Sequence, residues 1–141
     1  MIKYIWIYKY NYINTNQERV NTMSKVVKFG GSSLADAKQF KKVADIIHAD
    51  PERRYVVPSA PGKRFKEDTK VTDMLYRCYD EVAVQGKDFA ESFAPIRERY
   101  NGIISDLGLS LSLDEEFAKI GENFCAAVGS DYAASRGEYL N

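Results

Sequence analysis

The sequence predicts an α/β fold in which parallel strands alternate with helices. Two short runs rich in β-forming residues, 25–29 and 54–59, flank a stretch, 35–49, whose apolar residues recur at helical spacing. A glycine pair, Gly30 and Gly31, separates the first run from the helical stretch. A strand, a helix and a second strand in this order form one right-handed βαβ unit.

Beyond this unit the spacing of apolar residues predicts mainly helix. Residues 60–68 are rich in Lys, Gly and Pro and are expected to form a loop. Helices are expected over residues 71–84 and 89–107, because apolar side chains recur every three or four positions there. Pro95 is expected either to kink the second of these helices or to begin a new one.

The last part of the chain contains two further predicted helix starts. Asp114 is expected to be the N-cap of one helix, and Gly129 is expected to introduce another. Residues 138–141 have the pattern of a helix opening, with no helical run after them. Because a parallel sheet needs more than two strands to bury both faces, the sequence predicts that the chain stops within a domain.

The first 22 residues differ in composition from the rest. Residues 1–13 hold four of the ten tyrosines, the tryptophan and four isoleucines. The apolar run is interrupted by Lys9, is too short to span a membrane, and is followed by no small-residue cleavage site. We therefore expect residues 1–22 to be a non-native or disordered extension before a natural start at Met23. A genuine aromatic edge strand is the alternative.

Composition narrows the classes of function. The 141 residues carry twenty Lys and Arg against twenty Asp and Glu without a basic stripe, so neither nucleic acid nor a membrane is an expected partner. Cys78 and Cys125 are 47 positions apart and lack neighbouring Cys or His residues, which favours reduced core thiols in a cytosolic protein. His48 lies on a helical pattern, so neither a catalytic histidine nor a metal site is expected.

The segment KFGGSS, residues 28–33, has the layout that phosphate chemistry requires. Lys28 at the end of a strand can neutralise charge on a transferring phosphoryl group, while Gly30 and Gly31 let backbone N–H groups and a helix amino terminus approach phosphate. The lysine precedes the glycines, so this is not a Walker loop. A strand followed by two glycines is also a common connection without a ligand, and the motif alone leaves that alternative open.

A second polar loop, SAPGKR at residues 59–64, follows the second predicted strand. Adjacent parallel strands deliver their carboxyl ends to one crevice, so the two loops are expected to converge. Basic residues in and after this loop either steer an anionic ligand or form a solvated face. These residues are Lys63, Arg64, Lys66 and Lys70.

Two further polar positions lie at predicted helix starts. Thr72, or its neighbour Asp73, is expected to cap a helix by accepting hydrogen bonds from backbone N–H groups. Glu138 either forms a surface ion pair with Arg136 or, at a helix start in the crevice, receives a substrate ammonium group.

Four segments in order, KFGGSS, SAPGKR, KVTDML and SRGEYL, resemble the amino-terminal half of aspartokinases in the amino acid kinase family. The resemblance covers residues 26–141. It implies a three-layer α/β sandwich with a mainly parallel central sheet, incomplete here, so that residues 23–141 are the amino-terminal part of the catalytic domain. It also implies a cytoplasmic enzyme that uses ATP to phosphorylate the β-carboxylate of L-aspartate, the entry to lysine, threonine and methionine biosynthesis.

The resemblance also implies roles for individual residues. Lys28 would stabilise the transferring phosphoryl group, and Glu138 would receive the α-ammonium of aspartate. The residues expected at the ATP phosphates are Lys28, Phe29, Gly30, Gly31 and Ser32. The residues expected to bind aspartate are Ser59, Thr72 and Glu138. Mg²⁺ would arrive with ATP rather than through a metal site of the protein.

The resemblance leaves out a large part of the family pattern. The second half of the catalytic domain, with the nucleotide base pocket, and the regulatory domains have no counterpart in this sequence. We therefore expect little turnover from the isolated chain. The alternative function is an inactive truncated or split-enzyme fragment whose partner is a separate carboxyl-terminal half; a homo-oligomer is a further expected partner.

Overall fold

A parallel pair of strands joined by a helix forms one side of the structure, a computed structural model that describes residues 24–141. Strand β1 (Lys25–Phe29) and strand β2 (Arg53–Pro58) are hydrogen-bonded neighbours, and helix α1 (Ala37–His48) connects them. The predicted βαβ unit is therefore confirmed. The predicted extension at residues 1–22 lies outside the described residues.

The two faces of this sheet differ in exposure. The register places Val26 opposite Tyr55 and Lys28 opposite Val57, so these four side chains share one face. Val26 is 69% exposed, Tyr55 60% and Val57 46%. On the other face Val56 is buried. The sheet is covered on one side only within the described part of the chain.

Four more helices follow in the described residues. They are α2 (Val71–Tyr79), α3 (Phe89–Asp106), α4 (Asp114–Cys125) and α5 (Ser130–Tyr139). Helix α2 continues into one π-helical turn, Asp80–Val84, which ends just before Gly86. Gly86 has a positive φ of 69°, a conformation that glycine adopts without steric cost. The predicted helices over residues 71–84 and 89–107 are thus present.

The main core lies among helices α2 to α5 and is rich in aromatic side chains. Phe93 and Phe117 meet edge to face with ring centroids 5.2 Å apart, and Tyr79 and Phe124 meet in the same way at 5.3 Å. Tyr100 is fully buried beside them. Within residues 24–141, no helix combines the length and the apolar character needed to cross a membrane.

The structure excludes one of two alternatives at Pro95 and corrects the expectation at Asp114. Helix α3 runs through Pro95, so this proline begins no new helix. Its ring is exposed, where water can bond the carbonyl that loses its helical partner. Asp114 is the first helical residue of α4 rather than its N-cap, which is the buried Leu113. The hydroxyl of Ser112 instead accepts a hydrogen bond from the Asp114 N–H at 3.1 Å.

Residues 138–141 close a helix, so their prediction as a helix opening was wrong. Helix α5 begins at Ser130, after Gly129 with φ of 119°, and Leu140 is its C-cap. Leu140 and Asn141 are both buried. Gly137 lies inside this helix and is required for its packing, because an added Cβ would lie 2.7 Å from the Ala60 Cβ.

The two cysteines are both free thiols, as predicted, but they differ in environment. Cys78 belongs to the core, and its burial, with Glu81 nearby, raises the pKa of its thiol to about 12. Cys125 is exposed at the end of α4, so its prediction as a core thiol was wrong. It directly follows the buried Phe124, and because successive helical residues are about 100° apart around the helix axis, it lies on the face that meets solvent.

Candidate functional site

A cavity of about 520 Å³ lies where the loops that follow the two strands meet. Its walls come from the glycine loop after β1, the loop after β2, the first turn of α2 and the last turn of α5. Five residues predicted for the site line this one cavity: Gly31, Ser32, Ser59, Thr72 and Glu138. Segments far apart in sequence are therefore brought together.

Three other predicted residues lie next to the cavity in sequence without lining it. Lys28 is exposed on the open face of the sheet, opposite Val57. The carbonyl of Phe29 accepts a hydrogen bond from the Ser59 N–H at 3.0 Å, which extends the pairing of the two strands to the start of the second loop. Gly30 is exposed and in an extended conformation. These residues lead directly into Gly31.

The two loops cross at a contact between two glycines. The Gly62 N–H donates to the Gly31 carbonyl at 2.8 Å. A Cβ atom added to Gly62 would lie 2.6 Å from the Gly31 carbonyl carbon, and one added to Gly31 would lie 2.8 Å from the Ala60 carbonyl oxygen. No other residue type fits at either position without moving the backbone. Gly31 and Gly62 are therefore required for the two loops to cross at this distance.

The first turn of α2 presents Thr72 to the cavity. The N-cap of this helix is Lys70, and no side chain caps the helix by a hydrogen bond, so the capping interpretation of Thr72 and Asp73 was wrong. The helix is instead anchored by the Val71 N–H, which donates to the Pro61 carbonyl at 3.0 Å. Val71 itself is completely buried.

The last turn of α5 presents Glu138 to the cavity. Helix α5 packs closely on the second loop because Gly137 has no side chain: a Cβ there would lie 2.7 Å from the Ala60 Cβ. The buried Tyr100 hydroxyl donates to the Gly137 carbonyl at 2.8 Å, and the Asn141 side chain donates to the Ser59 carbonyl at 2.5 Å. These contacts fix α5, and Glu138 with it, at the cavity.

The position of Glu138 corrects the prediction of a helix start and changes the electrostatics. Glu138 lies in the last turn of α5, where unpaired carbonyl groups give a helix a negative end. A carboxylate at such an end reinforces the negative potential, which favours a cationic group. The Arg136 guanidinium lies over the rings of Tyr132 and Tyr139, 4.4 Å and 4.6 Å from their centroids. An Arg136–Glu138 ion pair is therefore not what the structure shows.

The glycine loop was predicted to lead into a helix over residues 35–49, but in the structure it does not lead into that helix directly. A 3-10 turn, Gly31–Leu34, comes first, and α1 begins only after Asp36, whose carboxylate accepts a hydrogen bond from the Gln39 N–H at 2.9 Å. The chain makes this turn because Leu34 and Ala35 bury their side chains. The amino terminus of α1 lines a second cavity of about 500 Å³, away from the glycines.

The basic residues of the second loop divide into two groups. Lys63 and Lys70 line the first cavity together with Glu138, which gives it two cations and one anion. Arg64 turns away and forms an ion pair with Asp68 at 2.8 Å, and this pairing holds the pKa of Asp68 well below its usual range. Part of the basic cluster therefore faces the cavity, and part of it organises the loop.

Sequence reasoning missed Arg99, a buried residue on α3. Its guanidinium donates to the Gly62 carbonyl at 2.5 Å and to the Asp68 carboxylate at 2.8 Å. The sequence places Arg99 on the same helix face as the apolar residues Ile96 and Ile103. A charge on such a buried face needs a partner, and this could have marked Arg99 as a candidate.

The fold and the arrangement of these segments define a class of protein. The sequence model of the amino acid kinase family matches residues 23–140, and the chain belongs to that family. Among curated relatives, Aspartokinase 3 of Bacillus subtilis (strain 168) is 48% identical over 94 residues, which are 65% of this chain and 20% of that protein. The bifunctional aspartokinase/homoserine dehydrogenase 2, chloroplastic, of Zea mays is 30% identical over 102 residues, 67% of this chain and 10% of that protein.

Solved structures lead to the same group. The aspartate kinase of Clostridium acetobutylicum superposes with a TM-score of 0.78 at 50% identity, over 82% of this chain and 27% of that one. E. coli aspartokinase III, solved in complex with aspartate and ADP, gives a TM-score of 0.62 at 26% identity, over 84% of this chain and 27% of that one. The resemblance to aspartokinases and the α/β fold are confirmed. The chain spans about a fifth of the length of its Bacillus relative.

Proposed function

We propose that this chain carries part of the active site of an aspartate kinase, which transfers a phosphoryl group from ATP to the β-carboxylate of L-aspartate. One observation carries the proposal: Gly31, Ser32, Ser59, Thr72 and Glu138 line a single cavity, although they come from four segments of the chain. Relatives that are 48% and 50% identical are an aspartokinase and an aspartate kinase. A related E. coli enzyme was solved with aspartate and ADP.

The proposed roles follow from charge and position. Glu138, at the negative end of α5, receives the α-ammonium of aspartate, while Ser59 and Thr72 contact the same substrate through their hydroxyl groups. The backbone of residues 29–31 holds the ATP phosphates with Ser32 beside it. Lys28 neutralises the charge that develops on the transferring phosphoryl group.

The proposed reaction needs no general base from this cavity. The aspartate β-carboxylate is already ionised at neutral pH, so it attacks without losing a proton. Catalysis then consists of positioning the two substrates and neutralising charge, which is the usual situation in phosphoryl transfer. Two lysines at the cavity suit ligands that are rich in carboxylate and phosphate groups. Mg²⁺ is proposed to enter on the ATP phosphates, since it commonly binds proteins through substrate phosphates.

The proposed cellular role is the entry step of lysine, threonine and methionine biosynthesis, in the cytoplasm. A second candidate is a split or truncated form that is active only with a separate carboxyl-terminal half. It is favoured by the exposed face of the sheet, with Val26, Tyr55 and Val57.

The test is formation of aspartyl phosphate from ATP and L-aspartate, trapped with hydroxylamine. The 141-residue chain is assayed alone and together with the remainder of Bacillus Aspartokinase 3, expressed without the region that aligns with this chain. We expect activity in the mixture only. Lys28→Ala should abolish it, and Glu138→Gln should raise the KM for aspartate about tenfold or more, because a charge-assisted contact is lost.

Glu122→Gln on α4 is the matched control, since Glu122 is also an exposed helical carboxylate but lies outside the cavity. It should behave like the unmodified chain. Activity of the chain alone would contradict the split form. Aspartate-independent activity, or wild-type KM in Glu138→Gln, would contradict the proposed site.

A further inference from the structure

The loop that follows β2 is held from behind by a buried ion pair. The side chains of Arg99 on α3 and Asp68 at the end of the loop are 4% and 9% exposed, and the shortest distance between their charged groups is 2.8 Å. Removing one partner of a buried pair of this kind strongly destabilises the fold, because the other charge is left buried without compensation. The pair therefore fixes the position of Asp68 relative to α3.

Arg99 also reaches the other end of the same loop. Its second terminal nitrogen donates to the Gly62 carbonyl at 2.5 Å, while the first holds Asp68. The planar guanidinium thus joins positions 62 and 68 and closes the loop into a ring. Inside the ring, the backbone N–H of Arg64 donates to the Asp68 carboxylate at 2.9 Å, and the Arg64 side chain makes two further bonds to it.

This ring stands directly behind the crossing of the two loops. Gly62 accepts from Arg99 through its carbonyl and donates to the Gly31 carbonyl through its N–H at 2.8 Å. Both Gly31 and Gly62 line the first cavity, whereas Arg99 and Asp68 line the second cavity behind it. Gly62 therefore links Arg99 to Gly31 through hydrogen bonds at both of its backbone polar groups.

We propose that Arg99 and Asp68 are positioning residues that hold Gly62 against Gly31 and so set the spacing between the two loops of the active site. The inference rests on the proposed function for its importance to substrates, but the geometry of the clamp can be tested without them. Lysine cannot replace Arg99, because a single ammonium group lacks the rigid fork that spans Gly62 and Asp68.

The first test is hydrogen exchange of backbone amides in the full 141-residue chain, followed by NMR. In Arg99→Lys and in Asp68→Asn, the Gly62 amide should exchange about tenfold faster or more, because its local opening becomes easier. The Phe117 amide, which donates to Leu113 inside the helical core, should change by less than about twofold. Asp68→Asn preserves the shape of the side chain and serves if the arginine variant does not fold.

The matched control is Arg97→Lys. Arg97 is two positions away on the same helix, but its side chain is 43% exposed, pairs with Asp114 at 3.0 Å and lies over the Phe117 ring. Gly62 exchange should stay at the wild-type rate in this variant. The proposal is overturned if Gly62 exchange is unchanged in both clamp variants, or if Gly62 and Phe117 accelerate by the same factor, since that is a global loss of stability.

The second test measures binding of Mg·ADP and L-aspartate to the same proteins, each mixed with the remainder of Bacillus Aspartokinase 3. If the clamp positions the glycine loop, Arg99→Lys should weaken Mg·ADP binding about tenfold and L-aspartate binding less than about threefold, at a temperature where both proteins are folded. Equal weakening of both ligands would overturn the positioning role. If the wild-type mixture binds neither ligand while Gly62 exchange in the chain responds selectively, the clamp stands and the proposed function fails.

Discussion

At the scale of single residues, the site depends on three glycines whose lack of a side chain allows close packing. Gly31, Gly62 and Gly137 belong to three separate motifs, and each lacks a side chain because backbone or side-chain atoms of another segment occupy that space. Gly30 is different, since a Cβ there would meet nothing within 4 Å. The sequence marks the first pair simply as Gly-Gly, and only the three-dimensional crossing separates a required glycine from a tolerated one.

Alanine substitutions should separate these glycines. Gly62→Ala should lower the free energy of unfolding by about 1–3 kcal/mol, because the new methyl group overlaps the Gly31 carbonyl group. Gly30→Ala should change it by less than about 1 kcal/mol, since its φ of −76° suits alanine. Urea unfolding followed by circular dichroism measures both. A Gly62→Ala protein as stable as Gly30→Ala would show that the loops do not cross as described.

At the scale of elements, the spacing of apolar residues predicts which segments are helices and which are strands. It does not predict which residues pack one element against another. The spacing of Phe40, Val43 and Ile47 predicts α1, and β-branched residues predict both strands, because one face of each must be buried. The docking of α5 could not be predicted in this way. It depends on Gly137 facing Ala60 and on one tyrosine hydroxyl, and a pattern within one helix contains no information about its neighbour.

The hydroxyl of Tyr100 should be measurable as the anchor of α5. Tyr100→Phe should lower the free energy of unfolding by about 1–2 kcal/mol, because the buried Gly137 carbonyl loses its donor. Tyr76→Phe is the control, since Tyr76 is 45% exposed on α2. Thermal unfolding of both variants decides the point: equal melting temperatures would mean that the hydroxyl contributes nothing to the anchoring of α5.

At the scale of the whole molecule, the cavity and the open face of the sheet are two distinct surfaces. The cavity collects loop residues at one end of the strands, while Val26, Tyr55 and Val57 remain on an open face of the sheet. The sequence already predicts too few strands to bury a parallel sheet on both faces. It could not predict that Arg99, from a distant helix, would hold the second loop in place. That role needs a contact across 37 residues, which no local pattern contains.

The open face should make the chain associate with itself. We expect sedimentation velocity to show larger species as concentration rises, and Val57→Glu to shift them towards monomer, because a charge on an exposed strand opposes pairing. The control is Val84→Glu, since Val84 is 73% exposed but is the last residue of the π-helical turn rather than part of the sheet. A wild-type chain that stays monomeric at every concentration would contradict this expectation.

The clamp behind the second loop also leaves a particular place where the chain can be cut. Phe65, at the tip of the loop between Gly62 and Asp68, is 57% exposed, and exposed loop tips are the preferred sites of proteolytic nicking. A cut after Phe65 would leave Gly62 on one piece and both Asp68 and Arg99 on the other. The hydrogen bond between Arg99 and Gly62, together with the ion pair between Arg64 and Asp68, would then bridge the cut. We therefore expect that two fragments of this chain divided at Phe65 would reassociate, as the halves of a split reporter do.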